Sequence, residues 1–153
     1  MENKEYAGFW IRCGAALIDM VVLIIITVVP LFFIYGDAFF IEDKNIHGIW
    51  DLLFSYILPF VGTIWFWLKY RATPGKIATK LEIVDALTGN KMSTGQAIGR
   101  YFAYIISTVP FGLGFIWIGI DKRKQGWHDK LAGTVVIRNL HKESVQFEIR
   151  PDA

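Results

Sequence analysis

The chain has 153 residues, the size of one domain; 54% are apolar and 16% aromatic, with a positive mean hydropathy of +0.39. That balance excludes a disordered or fibrous chain, and a net charge of +2 spread over dispersed basic residues points away from a nucleic-acid partner. The lone Cys13 leaves no internal disulfide to form.

Formal charges are pushed out of three windows. In residues 7–36 only Arg12 and Asp19 are charged, and residues 20–35 hold no charge. A second uncharged window covers residues 52–68 and a third residues 101–120. Each is near the ~20 helical residues that cross about 30 Å of hydrocarbon, and a soluble domain this small lacks the amphipathic sequence to cover three. The chain therefore reads as an all-α integral membrane protein with the lipid bilayer as its surroundings. Glu2, Lys4 and Glu5 nearly cancel and the first apolar run is too long for a cleavable leader, so the first segment reads as a retained anchor.

Lys and Arg near segment ends favour the cytoplasmic side. The first connection carries Asp37, Glu42, Asp43 and Asp51 against Lys44, and belongs outside; the second carries Lys69, Arg71, Lys76, Lys80, Lys91 and Arg100 against Glu82 and Asp85, and belongs inside. The amino terminus is then cytoplasmic. A simple third crossing would export Lys122, Arg123, Lys124 and Lys130. A break of the third segment between Pro110 and Gly114, giving two shorter helices, keeps the tail in the cytoplasm; one kinked helix with an exported tail is the alternative.

Within the inner connection, Thr73-Pro74-Gly75 is a turn signal, residues 80–85 read as a short strand, and Ser93 or Thr94 caps a helix starting near Gln96. Residues 134–137 form a second β-branched run, expected to pair with the first as a small cytoplasmic β element, and residues 145–149 alternate like an edge strand. The membrane domain is placed at residues 1–140, with a short polar tail at residues 141–153.

Arg12 and Asp19 are seven residues apart, so they share one helical stripe about 10 Å apart in height, with Ala15 and Ala16 between them; small residues there suit a packed seam. Arg12 can snorkel to the interface, whereas Asp19 is deeper and needs a partner. Arg100 and the hydroxyls of Thr63 or Ser107 are candidates. As function, the stripe is an ion or proton relay; as structure, it is a polar clasp fixing helix register. Residues 121–130 read as a basic collar for anionic lipid headgroups, with Trp127 at the interface. His128 and Asp129 supply too few ligands for a zinc site, and His47 and His141 lie elsewhere; no metal and no cofactor are expected. No GxSxG, HExxH or phosphate-loop motif occurs, so no nucleophile is nominated and no enzyme is expected.

The chain resembles the RDD family of small multi-pass membrane proteins, named for one arginine and two aspartates. The resemblance runs from Phe9-Trp10-Ile11-Arg12-Cys13-Gly14-Ala15-Ala16-Leu17-Ile18-Asp19 through Thr73-Pro74-Gly75-Lys76, Leu81-Glu82-Ile83-Val84-Asp85 and Gln96-Ala97-Ile98-Gly99-Arg100 to Gln125-Gly126-Trp127-His128-Asp129-Lys130-Leu131-Ala132-Gly133-Thr134-Val135-Val136, spanning Phe9 to Ile137 in one order. The departure lies near Lys80, where the family more often shows glycine or arginine. By this resemblance Arg12, Asp19 and Asp129 are the three naming residues, with Gly75 and Arg100 as further matches, and ion or proton exchange is among the activities it suggests. The expectation is a transport-related protein: Asp19 titrates, Arg12 and Arg100 balance its charge, Asp129 tethers the tail, and a homo-oligomer encloses the path of a monovalent cation or proton. The alternative is a structural or accessory membrane protein held together by the same residues. A membrane enzyme acting on lipid headgroups is a distant third.

Overall fold

The computed structural model of the chain describes residues 4–41 and 46–139. A short strand β1 (Lys4–Tyr6) leads into the long helix α1 (Phe9–Tyr35) and a single turn α2 (Ala38–Ile41). The chain returns through α3 (Ile49–Asp51), a π-wound stretch (Leu52–Ile57) and α4 (Leu58–Tyr70). Next come α5 (Pro74–Ala78), β2 (Leu81–Asp85), α6 (Thr94–Thr108), α7 (Leu113–Ile120), α8 (Trp127–Leu131) and β3 (Thr134–Asn139).

The 27 residues of α1 extend about 40 Å at the usual rise, more than the hydrocarbon thickness. Only Arg12, Ala15 and Leu31 of this helix are buried, and Leu17, Val21, Ile24 and Ile25 are exposed. A helix apolar on nearly all sides is at home in hydrocarbon and not in water. Among the described residues two helices are long and apolar enough to cross a membrane, Phe9–Tyr35 and Ile49–Ala78. The π-wound stretch in the second precedes Pro59, whose ring in a continuous α-helix would clash with the carbonyl of Ser55.

The expected third segment is broken. Helix α6 stops at Thr108, α7 resumes at Leu113, and their axes differ by 99°. The corner is made by Phe111 (φ +52°) and Gly112 (φ +75°); Pro110 stops the ladder and glycine accepts the left-handed turn. With 15 and 8 residues, α6 and α7 reach about 22 Å and 12 Å, each shorter than about 30 Å of hydrocarbon. The start of α6 is Thr94, capped by Ser93: its hydroxyl accepts from the Gln96 N–H at 3.2 Å while the Ser93 N–H donates back to Gln96 Oε1 at 2.8 Å.

The sheet has order β1-β3-β2 with both pairs antiparallel. Pairing of β2 with β3 is the expected one, with Ile83 opposite Val136. Strand β1 is not foreseen, because Lys4-Glu5-Tyr6 carries no strand signal; the free edge of β3 recruits it, with Tyr6 opposite Ile137. The alternating run at residues 145–149 lies outside the described residues.

This sheet gathers the helix ends. The Ala7 N–H donates to Val136 O (2.9 Å) just before α1, and the Ile83 N–H to Arg71 O (2.6 Å) just after α4. Gln96 Nε2 at the start of α6 donates to Asp85 Oδ2 (2.6 Å), and Arg123 Nη2 beyond α7 to Ala86 O (2.6 Å). Beneath it Ala15, Trp67, Ile83, Ala97 and Val136 form the core.

The small-residue seam on α1 is used by α5. A Cβ on Gly75 would stand 2.0 Å from Ala15 O and 2.9 Å from Asp19 Cγ, whereas one on Gly62 would meet nothing within 4 Å. Gly75→Ala is expected to lower stability in detergent by about 1–3 kcal/mol through overpacking, while Gly62→Ala leaves the melting temperature level or slightly raised. Equal melting temperatures for the two variants would contradict this packing.

Candidate functional site

Asp129 sits in the first turn of α8, where its Oδ2 accepts the N–H of Gly126 at 3.0 Å. That local bond fixes the rotamer and aims the carboxylate at two arginines from distant helices. Arg12 of α1 donates through Nη1 to Oδ2 at 2.5 Å, and uses Nε on Ala7 O (3.0 Å) and Nη2 on Lys124 O (2.5 Å). Every edge of that guanidinium is occupied, so Arg12 pins the foot of α1 to the loop before α8. Arg100 of α6 approaches Oδ1 at 2.5 Å as an ion pair without in-line hydrogen-bond geometry. Its Nη1 also donates to the hydroxyl of Thr134 at the start of β3, and its plane lies over Trp67 (5.5 Å) and Tyr104 (5.7 Å). Asp129 and Arg100 are fully buried and Arg12 is 8% exposed. Burial raises the Asp129 pKa, but the fields of Arg100 and Arg12 outweigh it and hold the carboxyl below the usual carboxylate range.

His128 packs beside this pair, stacked on Tyr104 with ring centroids 4.3 Å apart. Its backbone N–H donates to Ser107 Oγ (3.0 Å), which also contacts Nδ1 at 3.2 Å; Nε2 is 3.5 Å from Asp129 Oδ1. Burial pushes the imidazole down to about 3; Asp129 opposes the shift, while Arg100, Arg12 and Lys76 reinforce it. His128 is therefore neutral at physiological pH. The set Ser107, His128 and Asp129 has the composition of a hydrolytic triad, yet none of the three lines the cavity between α1 and α4. A Cβ on neighbouring Gly114 would fall 2.7 Å from Ser107 Cα, so that side of Ser107 is closed.

Asp19 belongs to a separate cluster. Its Oδ2 accepts the Thr73 hydroxyl at 2.6 Å and its Oδ1 the Gly75 N–H at 2.7 Å, so it caps the start of α5 from another helix. Lys76 Nζ reaches Thr73 Oγ1 at 3.4 Å. This corrects the expected partners: Arg100 is engaged by Asp129 and Ser107 by His128, and Thr63 shares only the cavity wall with Asp19. Likewise Arg12 and Arg100 converge on Asp129 and not on Asp19. Thr73 and Gly75 lie close enough because Gly75 lets α5 settle onto Ala15. Thr73, Lys76, Trp67, Tyr104 and Thr134 escape sequence reasoning as site residues. Only the Thr73-Pro74-Gly75 turn carried any local signal.

Asp19, Thr73, Lys76 and Tyr104 line a cavity of about 340 Å³ whose remaining walls are mainly apolar side chains of α1 and α4. From Asp19 to Ile26 it follows α1 for about 10 Å. Among the described residues no group of three His, Cys, Asp or Glu side chains is placed to hold a metal.

Membrane-length apolar helices joined at one end by a sheet and an arginine-clasped aspartate define a helical membrane protein. The chain belongs to the RDD family, whose pattern it matches over residues 6–133. It is 33% identical to the uncharacterized protein YxaI of Bacillus subtilis over 150 residues, covering 88% of this chain and 98% of the relative. It is 35% identical to YckC of the same organism, also described as an uncharacterized protein, over 149 residues, covering 89% and 87%. The uncharacterized membrane protein YteJ, again from Bacillus subtilis, is 28% identical over 151 residues, covering 88% and 82%. No solved structure matches the chain significantly.

Because His128 titrates lower in the fold than its ordinary 6.5, its neutral form stabilises the protein fully above about pH 6.5, and that contribution drains away as pH falls toward 3. Between about pH 7.5 and pH 5 the loss is about 2 kcal/mol. Thermal unfolding in detergent should show this slope, and His128→Asn should flatten it. An equal slope in both proteins would contradict the assignment.

Proposed function

We propose that the chain is a transport-related, non-enzymatic membrane protein that exchanges a proton or monovalent cation at Asp19. The observation that carries this reading is the contrast between its two buried-cluster carboxylates. Asp129 is locked between two arginines, so neutralising it strands buried positive charge. Asp19 is half-buried, lines a cavity and is held by two neutral donors, so it can gain or lose a charge with less rearrangement. Lys76, one hydroxyl away, supplies a positive charge that an incoming cation displaces.

The proposed topology places the sheet in the cytoplasm, because Lys69, Arg71, Lys80 and Arg123 lie in and beside the segments it gathers. Both ends of the bent α6–α7 pair attach to that sheet, which supports a re-entrant V flanked by two crossings, with both termini cytoplasmic. A homo-oligomer belongs to this reading because two crossings cannot by themselves enclose a polar path. A second reading, a structural or accessory membrane protein, is favoured by one fact: both oxygens of Asp19 are already occupied in tying α5 to α1.

In proteoliposomes the parent should couple a monovalent-cation gradient to a pH change, and Asp19→Asn should abolish this while yield and oligomer size stay level. No flux in the parent, with loss of folded Asp19→Asn protein, favours the accessory reading. For topology, Leu87, exposed in the turn after β2, is replaced by Cys in a Cys13→Ser background. An impermeant maleimide should label it in opened cells only; labelling of intact cells contradicts a cytoplasmic sheet.

A further inference from the structure

The cavity between α1 and α4 is larger and more apolar than an ion requires. At about 340 Å³ it falls at the lower end of small-molecule pockets, which run from about 300 to 1,000 Å³. Leu23, Ile26, Leu58 and Phe66 supply apolar wall, and Asp19, Thr73, Lys76 and Tyr104 the polar part. Such a division, apolar length with a polar patch, is the complement of an amphiphile.

Charge decides which kind of head it takes. Lys76 and Asp19 line the polar part and balance each other; against the wall residues Trp67 and Tyr104 lies Arg100, one member of a clasp in which two arginines face a single carboxylate and leave one excess positive charge. Asp19 is satisfied by Thr73 and Gly75, and Asp129 by the arginines and Gly126. Unmet capacity lies on the cationic side. Lys76 has three donors and reaches Thr73 only at 3.4 Å. Among the described residues, fully buried Arg100 keeps Nε and Nη2 without a hydrogen-bond partner, and its guanidinium packs on the rings of Trp67 and Tyr104, two residues of the cavity wall. A bulky ammonium head, unlike a proton or small ion, finds both Asp19 oxygens covered by Thr73 and Gly75 and meets the Lys76 charge, whereas a carboxylate or phosphate is attracted by Lys76.

We propose that this cavity binds an amphiphile with a single acyl chain and an anionic head, the chain lying along Leu23, Ile26 and Leu58 and the head on Lys76. The volume suits one chain and not two. A free fatty acid and a lysophospholipid share this chemistry. The inference goes beyond ion exchange at Asp19 and stands whether or not that exchange occurs.

The test uses the full chain in phosphatidylcholine nanodiscs, photolabelled with palmitate carrying a diazirine on its chain. Crosslinks are expected on α1 between residues 20 and 26 and on α4 between residues 58 and 66. Lys76→Gln should raise the half-saturating concentration about tenfold, the loss of one charge-assisted contact; Lys76→Arg should retain binding. Gly62→Leu, which grows into open space at the cavity wall, should abolish labelling. In the unaltered protein, palmitate or lysophosphatidic acid should compete, whichever competes better identifying the source, and hexadecyltrimethylammonium should not. Labelling should persist in Asp19→Asn, so the two readings fail separately. Crosslinks elsewhere, equal competition by the ammonium amphiphile, or undiminished labelling of Gly62→Leu would overturn the proposal.

Discussion

One buried carboxylate organises this protein. Asp129 is reached by Arg12 from the first helix and by Arg100 from the first arm of the bent pair, and it caps its own short helix through Gly126. Removing such charges from water costs several kcal/mol each, which is recovered only when partners and geometry are satisfied together. The result is a directional tie: α1, α6, α8 and β3, through Thr134, can meet in one arrangement. Apolar packing alone is non-directional and would let long helices slide past one another in hydrocarbon.

Once that tie is made, the second aspartate is free for other work. Asp19 stands two helical turns further along α1, beyond the reach of the arginines, and takes backbone and hydroxyl donors from the start of α5. Gly75 is the residue that makes this possible, because any side chain there would collide with Ala15 O. Arg12 and Asp129 thus fix the architecture, while Asp19 faces a cavity.

Much of the architecture is legible from local pattern. Charge-free windows mark the two membrane-length helices, Pro110 and Gly112 mark the corner, and the β-branched runs at β2 and β3 mark the pair of strands. Each of these features is written within a few consecutive residues. Strand β1 is invisible because its stability comes from the edge it joins. The pairing of charges is illegible for a deeper reason: Arg12 lies seven residues from Asp19 but pairs with Asp129, 117 residues away. Spacing along one helix suggested a stripe; the fold sends its two members to different clusters. The cavity is equally hidden, since its polar residues come from α1, α4, the turn at Thr73, α5 and α6.

The central claim, that the arginine clasp on Asp129 holds the helices in register, is tested most directly by a double-mutant cycle of Arg12→Met and Asp129→Asn, read by reversible unfolding in mixed micelles. Asp129→Asn should cost about 3–5 kcal/mol by stranding two buried arginines, Arg12→Met should cost less because Arg100 still faces Asp129, and the double variant should cost clearly less than the sum of the two, a coupling of at least about 1 kcal/mol. Additive costs would show that the two side chains stabilise the protein independently, and the clasp would lose its organising role.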